Sequence, residues 1–79
     1  FRTSALNFHP LTGELYVLSS LNNIIAVLNK TGNIARILEL DGNEFIQPEG
    51  LAFTSDGRLF ISNEGQGKQA NIIELEYED

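Results

Sequence analysis

Gly50-Leu51-Ala52-Phe53-Thr54-Ser55-Asp56-Gly57-Arg58-Leu59-Phe60-Ile61-Ser62-Asn63-Glu64 is the stretch that decides the fold, because a weaker copy of it stands near the start of the chain. Ala5-Leu6-Asn7-Phe8 matches Gly50-Leu51-Ala52-Phe53 at a separation of 45, and Gly13-Glu14-Leu15-Tyr16-Val17 matches Gly57-Arg58-Leu59-Phe60-Ile61 at 44. A third block, Asn23-Ile24-Ile25-Ala26-Val27, matches Asn71-Ile72-Ile73-Glu74-Leu75 at 48. Three blocks in the same order amount to an internal repeat, and a period of about 20 to 50 residues points to a repeat architecture rather than to one irregular domain.

Each block clusters or alternates apolar residues over a few positions and ends at turn residues, which is the pattern of strands. Leu15-Tyr16-Val17-Leu18 and Leu59-Phe60-Ile61 are β-rich and apolar on both faces, so central, doubly covered strands are expected there. Thr12-Gly13, Thr31-Gly32-Asn33 and Asp56-Gly57 supply the positive φ of tight hairpins. The reading gives four strands, near residues 5–8, 14–19, 23–29 and 33–39, then three more near 51–53, 58–62 and 70–77. A loop over Asp41–Pro48 joins the two sets.

Four antiparallel strands recurring at this period describe a β-propeller blade. The expected fold is therefore all-β, a propeller fragment of about two four-stranded antiparallel blades. Residues 1–46 form the first blade with its interblade loop, and residues 47–79 a second that lacks its outermost strand. A blade has an apolar face toward each neighbour and is stable only when stacked. The expected partners are thus the remaining blades of a longer chain, or further copies of this one by self-association. The missing strand would come from elsewhere in such an assembly.

Composition agrees. The chain has 79 residues, 42 % hydrophobic and 20 % charged, and no cysteine. That excludes disulfides, thiolate metal sites and cysteine nucleophiles. It has no methionine either, from which a piece of something longer is expected. No apolar run approaches the length of a membrane helix. The net charge of −6 argues against nucleic acid as a partner. The charge is also lopsided: residues 1–40 hold three basic and two acidic side chains, residues 41–79 two basic and nine acidic.

The pattern Pro48-Glu49-Gly50-Leu51-Ala52-Phe53 followed by Asp56-Gly57-Arg58-Leu59-Phe60-Ile61-Ser62-Asn63-Glu64 resembles the NHL-type repeat, and in particular the SdiA-regulated family of bacterial β-propeller proteins. Residues 4–20 look like a weaker copy of the same phrase. The resemblance implies kinship with calcium-binding propellers, a place in the periplasm or cell envelope, and a natural end at or near Asp79.

In an up-and-down blade the loops sort to two ends. One end collects His9, Thr12, Lys30, Asp56 and Arg58; the other collects Asp41, Glu44, Glu49, Asn63, Glu64 and Lys68. Hard cations such as Ca²⁺ take six to eight oxygens from carboxylates, amides, backbone and water, and the second end offers those types. Glu49 and Glu64 are the candidate metal residues, and the resemblance points to the same two. Their copies in the first unit are Ser4 and Ser20, so a carboxylate site would not repeat from blade to blade.

Other signals carry less. His9, the only histidine, precedes Pro10 and reads as a turn or surface residue. Gly65-Gln66-Gly67-Lys68 lacks the leading glycine and trailing hydroxyl of a phosphate loop and reads as an interblade hairpin. Asp41-Gly42-Asn43-Glu44-Phe45 puts Phe45 at the third ligand position of a calcium loop, which rejects that motif. Asn29-Lys30-Thr31 is a glycosylation sequon of consequence only in a secreted eukaryotic protein. No nucleophile elbow or catalytic residue is recognisable. Two function classes follow: a noncatalytic ligand- or partner-binding scaffold with structural calcium, or part of a calcium-dependent hydrolase or lyase of propeller fold.

Overall fold

The computed structural model describes residues 2–64 and 69–77. It contains seven strands among these residues and no helix: β1 (Ala5–Phe8), β2 (Leu15–Ser19), β3 (Ile24–Leu28), β4 (Ile34–Glu39), β5 (Pro48–Phe53), β6 (Leu59–Asn63) and β7 (Asn71–Leu75). They form a four-stranded sheet in the order β1-β2-β3-β4 and a three-stranded sheet in the order β5-β6-β7, every neighbouring pair antiparallel. These are a full propeller blade and a blade without its outermost strand. The loop expected over residues 65–68 lies outside the described residues.

Glycine chemistry sets the hairpins. Gly13, Gly32 and Gly57 all take positive φ, +76°, +85° and +90°, as the turns between β1 and β2, β3 and β4, and β5 and β6 require. At Gly57 a side chain faces a second obstacle, since a Cβ there would lie 3.0 Å from His9 Cε1.

Register gives the exact correspondence of the two blades. Phe8 pairs with Leu15 and Phe53 with Leu59, which reproduces the separations of 45 and 44. Leu15 pairs with Leu28 whereas Leu59 pairs with Leu75, so β7 copies β3 at a separation of 47, not 48. The shared Asn-Ile-Ile lettering is misleading by one residue. In a strand that slip exchanges the two faces, so Ile72 corresponds to Ile25 and Glu74 to Val27.

The core lies between the blades. Tyr16, Leu18, Ile25 and Val27 from one side of the first sheet pack against Leu59 and Ile61 from the second, with Leu51, Phe53, Ile73 and Leu75 around them. Leu18, Ile25, Leu59 and Ile61 are wholly buried. Each such side chain contributes about 1.5–3 kcal/mol relative to exposure. Leu40 and Phe45 close one end of this layer from the interblade segment, where the Asn23 side-chain amide donates to the Phe45 carbonyl at 3.1 Å.

One expectation is corrected here. Leu15 and Val17 were expected under cover on both faces of β2, yet they are only half-buried. They point to the side of the first blade that no second sheet covers. The same is true of Phe60 in β6. Each blade therefore shows one covered and one open side, and the open side of the first blade corresponds to the covered side of the second.

Candidate functional site

The two ends of the stack differ in kind. At the hairpin end, His9 follows β1 and opens the turn, as one half of its reading had it, but it is 2 % exposed, which overturns the other half, a surface residue. Its Nδ1 accepts the backbone N–H groups of Leu11 and Thr12 at 3.1 and 3.3 Å. That leaves the proton on Nε2, which donates to Tyr77 Oη at 2.7 Å. The Tyr77 hydroxyl in turn donates to the Gly57 carbonyl at 2.6 Å. Phe53 lies 4.9 Å from the imidazole centroid, and Tyr16 meets Phe53 edge-on at 5.0 Å. This constellation ties the first hairpin of one blade to the corresponding hairpin of the other. Its polar atoms are occupied by one another, which is the arrangement of a clasp.

Outside the clasp, the Arg36 guanidinium donates to Tyr16 Oη at 2.7 Å and lies 3.5 Å from Glu14. On the second blade Arg58 makes a two-pronged contact with Glu74 at 3.0 and 2.7 Å and sits over the Phe60 ring at 5.3 Å. The bond from Arg58 holds the Glu74 carboxyl below the usual carboxylate range. The Thr54 hydroxyl does the same for Asp56.

At the opposite end lie the two carboxylates singled out in the sequence. Glu49 occupies the irregularity in β5, between the pair Pro48–Asn63 and the pair Gly50–Ser62. Glu64 is the residue after β6, and its backbone N–H donates to the Gln47 carbonyl at 2.9 Å. Both are exposed, at the same end of adjacent strands. Between them in register stands Asn63, 7 % exposed. Its amide nitrogen donates to Asn71 Oδ1 at 3.0 Å, whereas its own Oδ1 is buried and has no hydrogen-bond partner among the described residues. A buried acceptor left open is costly, and Asn63 directly precedes Glu64 in the chain. In the first blade the positions that correspond to Glu49 and Glu64 touch: Ser4 Oγ and Ser20 Oγ are 2.7 Å apart.

These oxygens are the right chemistry for a hard cation but fewer than one needs. Among the described residues, no three acidic or histidine side chains stand together as a metal-holding group. Glu44 and Asp41, at the same end by sequence, serve the interblade segment instead, where Asp41 caps its own turn through the Asn43 N–H at 2.9 Å. Asn63 was not singled out from sequence as a site residue. Its signal was its place on a covered strand face, at the position where the first blade has Ser19.

A two-sheet antiparallel stack with this repeat is matched by the family model SdiA-regulated over residues 2–67. The chain belongs to the SdiA-regulated family. No curated protein and no solved structure matches it. The family match covers the first blade and β5 and β6 of the second, and so includes both candidate carboxylates. Among the described residues, no helix is long and apolar enough to cross a membrane.

Proposed function

We propose that this chain is the part of a noncatalytic, ligand- or partner-binding propeller of the bacterial envelope that carries a structural calcium position at Glu49 and Glu64. The observation behind the calcium reading is the contact of Ser4 with Ser20 in the first blade. The second blade puts a carboxylate at each of the corresponding positions. Carboxylates brought as near as those two hydroxyls would repel unless a cation lay between them. The open Asn63 Oδ1, at the same end of β6, offers a neutral oxygen, and backbone, water or other blades would complete the shell. When bound, calcium would fix the loop end of the second blade against the first. An envelope location suits a weak site, since extracellular calcium modules work with dissociation constants of roughly 10⁻⁴–10⁻³ M.

The test is thermal unfolding with and without calcium. At a concentration near 100 times the dissociation constant, binding stabilises the folded state by about 2.7 kcal/mol. The wild-type chain should gain stability in calcium, and the double variant Glu49→Gln, Glu64→Gln should not. An unchanged calcium response in the double variant, or none in the wild type, overturns the reading.

A further inference from the structure

Asp41-Gly42 and Asp56-Gly57 are the steps of this chain in which a glycine follows an aspartate. Such a step carries its own reaction, because the glycine nitrogen, unshielded by a side chain, can attack the carboxyl carbon of the aspartate before it. The C–N bond forms, one C–O bond of the protonated carboxyl breaks, and the amide hydrogen leaves with that hydroxyl as water. The product is a succinimide ring. Water then adds to one of the ring carbonyls and breaks the C–N bond there. Opening at the main-chain carbonyl leaves isoaspartate, in which the backbone runs through Cβ and the α-carboxylate becomes the side group. Water is the sole co-reactant, lost in the first step and regained in the second.

The two steps are alike in sequence and opposite in structure. In Asp56-Gly57 the nucleophile is spent: the Gly57 N–H donates to the Thr54 carbonyl at 3.0 Å. Its backbone is fixed at φ +90°, and its carbonyl takes the Tyr77 hydroxyl of the clasp. The Thr54 hydroxyl bonds the Asp56 carboxylate and holds it below the usual carboxylate range, which depletes the protonated form that reacts. In Asp41-Gly42 the nucleophile is open. Among the described residues the Gly42 N–H makes no hydrogen bond, and both residues are exposed. The Asp41 Oδ1 accepts the Asn43 N–H at 2.9 Å, which folds the carboxyl over the Gly42 peptide and keeps its carbon beside the Gly42 nitrogen. The same N–H stabilises the charge that gathers on the carboxyl oxygen during attack.

We propose that Asp41 is a site of spontaneous covalent modification, converting to isoaspartate through attack by Gly42, and that the hairpin and clasp around Gly57 keep Asp56 from the same change. The inference is independent of the calcium position. Its consequence falls on the closure between the blades. The turn lies between Leu40 and Phe45, 6 % and 3 % exposed, and the Asp41 carbonyl accepts the N–H groups of Glu44 and Phe45 at 3.1 and 2.7 Å. In isoaspartate that carbonyl leaves the main chain and one more carbon separates Leu40 from Phe45. The turn must then rebuild, and the Asn23 bond to the Phe45 carbonyl is strained with it.

The test is to age the intact folded protein in mildly acidic buffer and to locate isoaspartate by peptide mass spectrometry with electron-transfer fragmentation, which distinguishes the Cβ linkage. Isoaspartate should accumulate at Asp41 at least about tenfold faster than at Asp56, because the second step reacts only when its turn opens. In urea the two should react at similar rates. Gly42→Ala, whose Cβ would have the Asn23 side-chain amide as a neighbour at 3.2 Å, should slow the reaction at Asp41 about tenfold by shielding the nitrogen. Thr54→Val should speed the reaction at Asp56 and leave that at Asp41 unchanged. Aged wild type should unfold at a lower temperature than aged Asp41→Ser, which keeps an oxygen for the Asn43 N–H but has no carboxyl to attack. Equal rates at the two steps in the folded protein overturn the proposal, and so does a rate at Asp41 that folding suppresses as strongly as the rate at Asp56.

Discussion

The two blades share a plan but use it differently, and the differences fall at corresponding positions. Val17 and Ile61 are copies of one another, yet Ile61 is sealed in the core and Val17 is half-open. His9 and Thr54 are copies, yet His9 holds a buried clasp and Thr54 an exposed turn. Ser4 and Ser20 share a hydrogen bond where the second blade has Glu49 and Glu64. The repeat therefore fixes where a side chain sits, while the neighbouring sheet decides what that place is worth.

The sharpest way to break this comparison is to truncate both members of a pair. Ile61→Ala should cost about 2–4 kcal/mol in urea unfolding, because it opens a cavity in a layer that cannot collapse. Val17→Ala should cost about 1 kcal/mol or less, since its side chain already meets solvent. Equal losses would mean that the open side of the first blade is as well covered as the core.

A smaller contrast is expected at the hairpin end. His9→Ala removes the ring that Phe53 packs on and leaves the Tyr77 hydroxyl short of a donor, at about 2 kcal/mol. Thr54→Ala loses only solvent-exposed bonds and should cost about 0.5–1 kcal/mol. Denaturant midpoints of the two variants compare them directly, and a reversed order would dismiss the clasp.

The smallest effect is electrostatic and belongs to the second blade. Asp56 and Glu74 are held below their ordinary values by Thr54 and Arg58 respectively. A carboxyl with a lowered folded-state value adds stability that is present above its unfolded value, and that is lost as pH falls through the folded one. The loss should appear below about pH 4.5 and be slight, because both groups are exposed. Arg58→Met should flatten the Glu74 part of the acid limb. An identical limb in the variant would remove the ion pair from the account.

How far the sequence could be read follows the same divide between local and distant causes. The strands and hairpins were legible because runs such as Leu15–Leu18 end at glycines that must take positive φ. The family was legible because its phrase is contiguous around Gly50 and Gly57. The match of β3 to β7 was not, because Asn-Ile-Ile repeats in letters at 48 while hydrogen bonding sets 47. His9 read as a turn or surface residue, and its burial was missed because its partner, Tyr77, lies 68 residues away and nothing near His9 announces it. Glu49 and Glu64 were legible as carboxylates at one end of the stack. The open acceptor on Asn63 depends on where its amide nitrogen is spent, which only the packed sheets reveal.

The order of strands in each sheet has a kinetic consequence. Every ladder joins consecutive strands, so each blade can assemble from hairpins that close in microseconds, without waiting for distant chain. The bond between His9 and Tyr77 spans nearly the whole sequence and can form only when both blades are built and meet. Tyr77→Phe should therefore leave the refolding rate almost unchanged and speed unfolding, which makes the last bond to close a brake on opening.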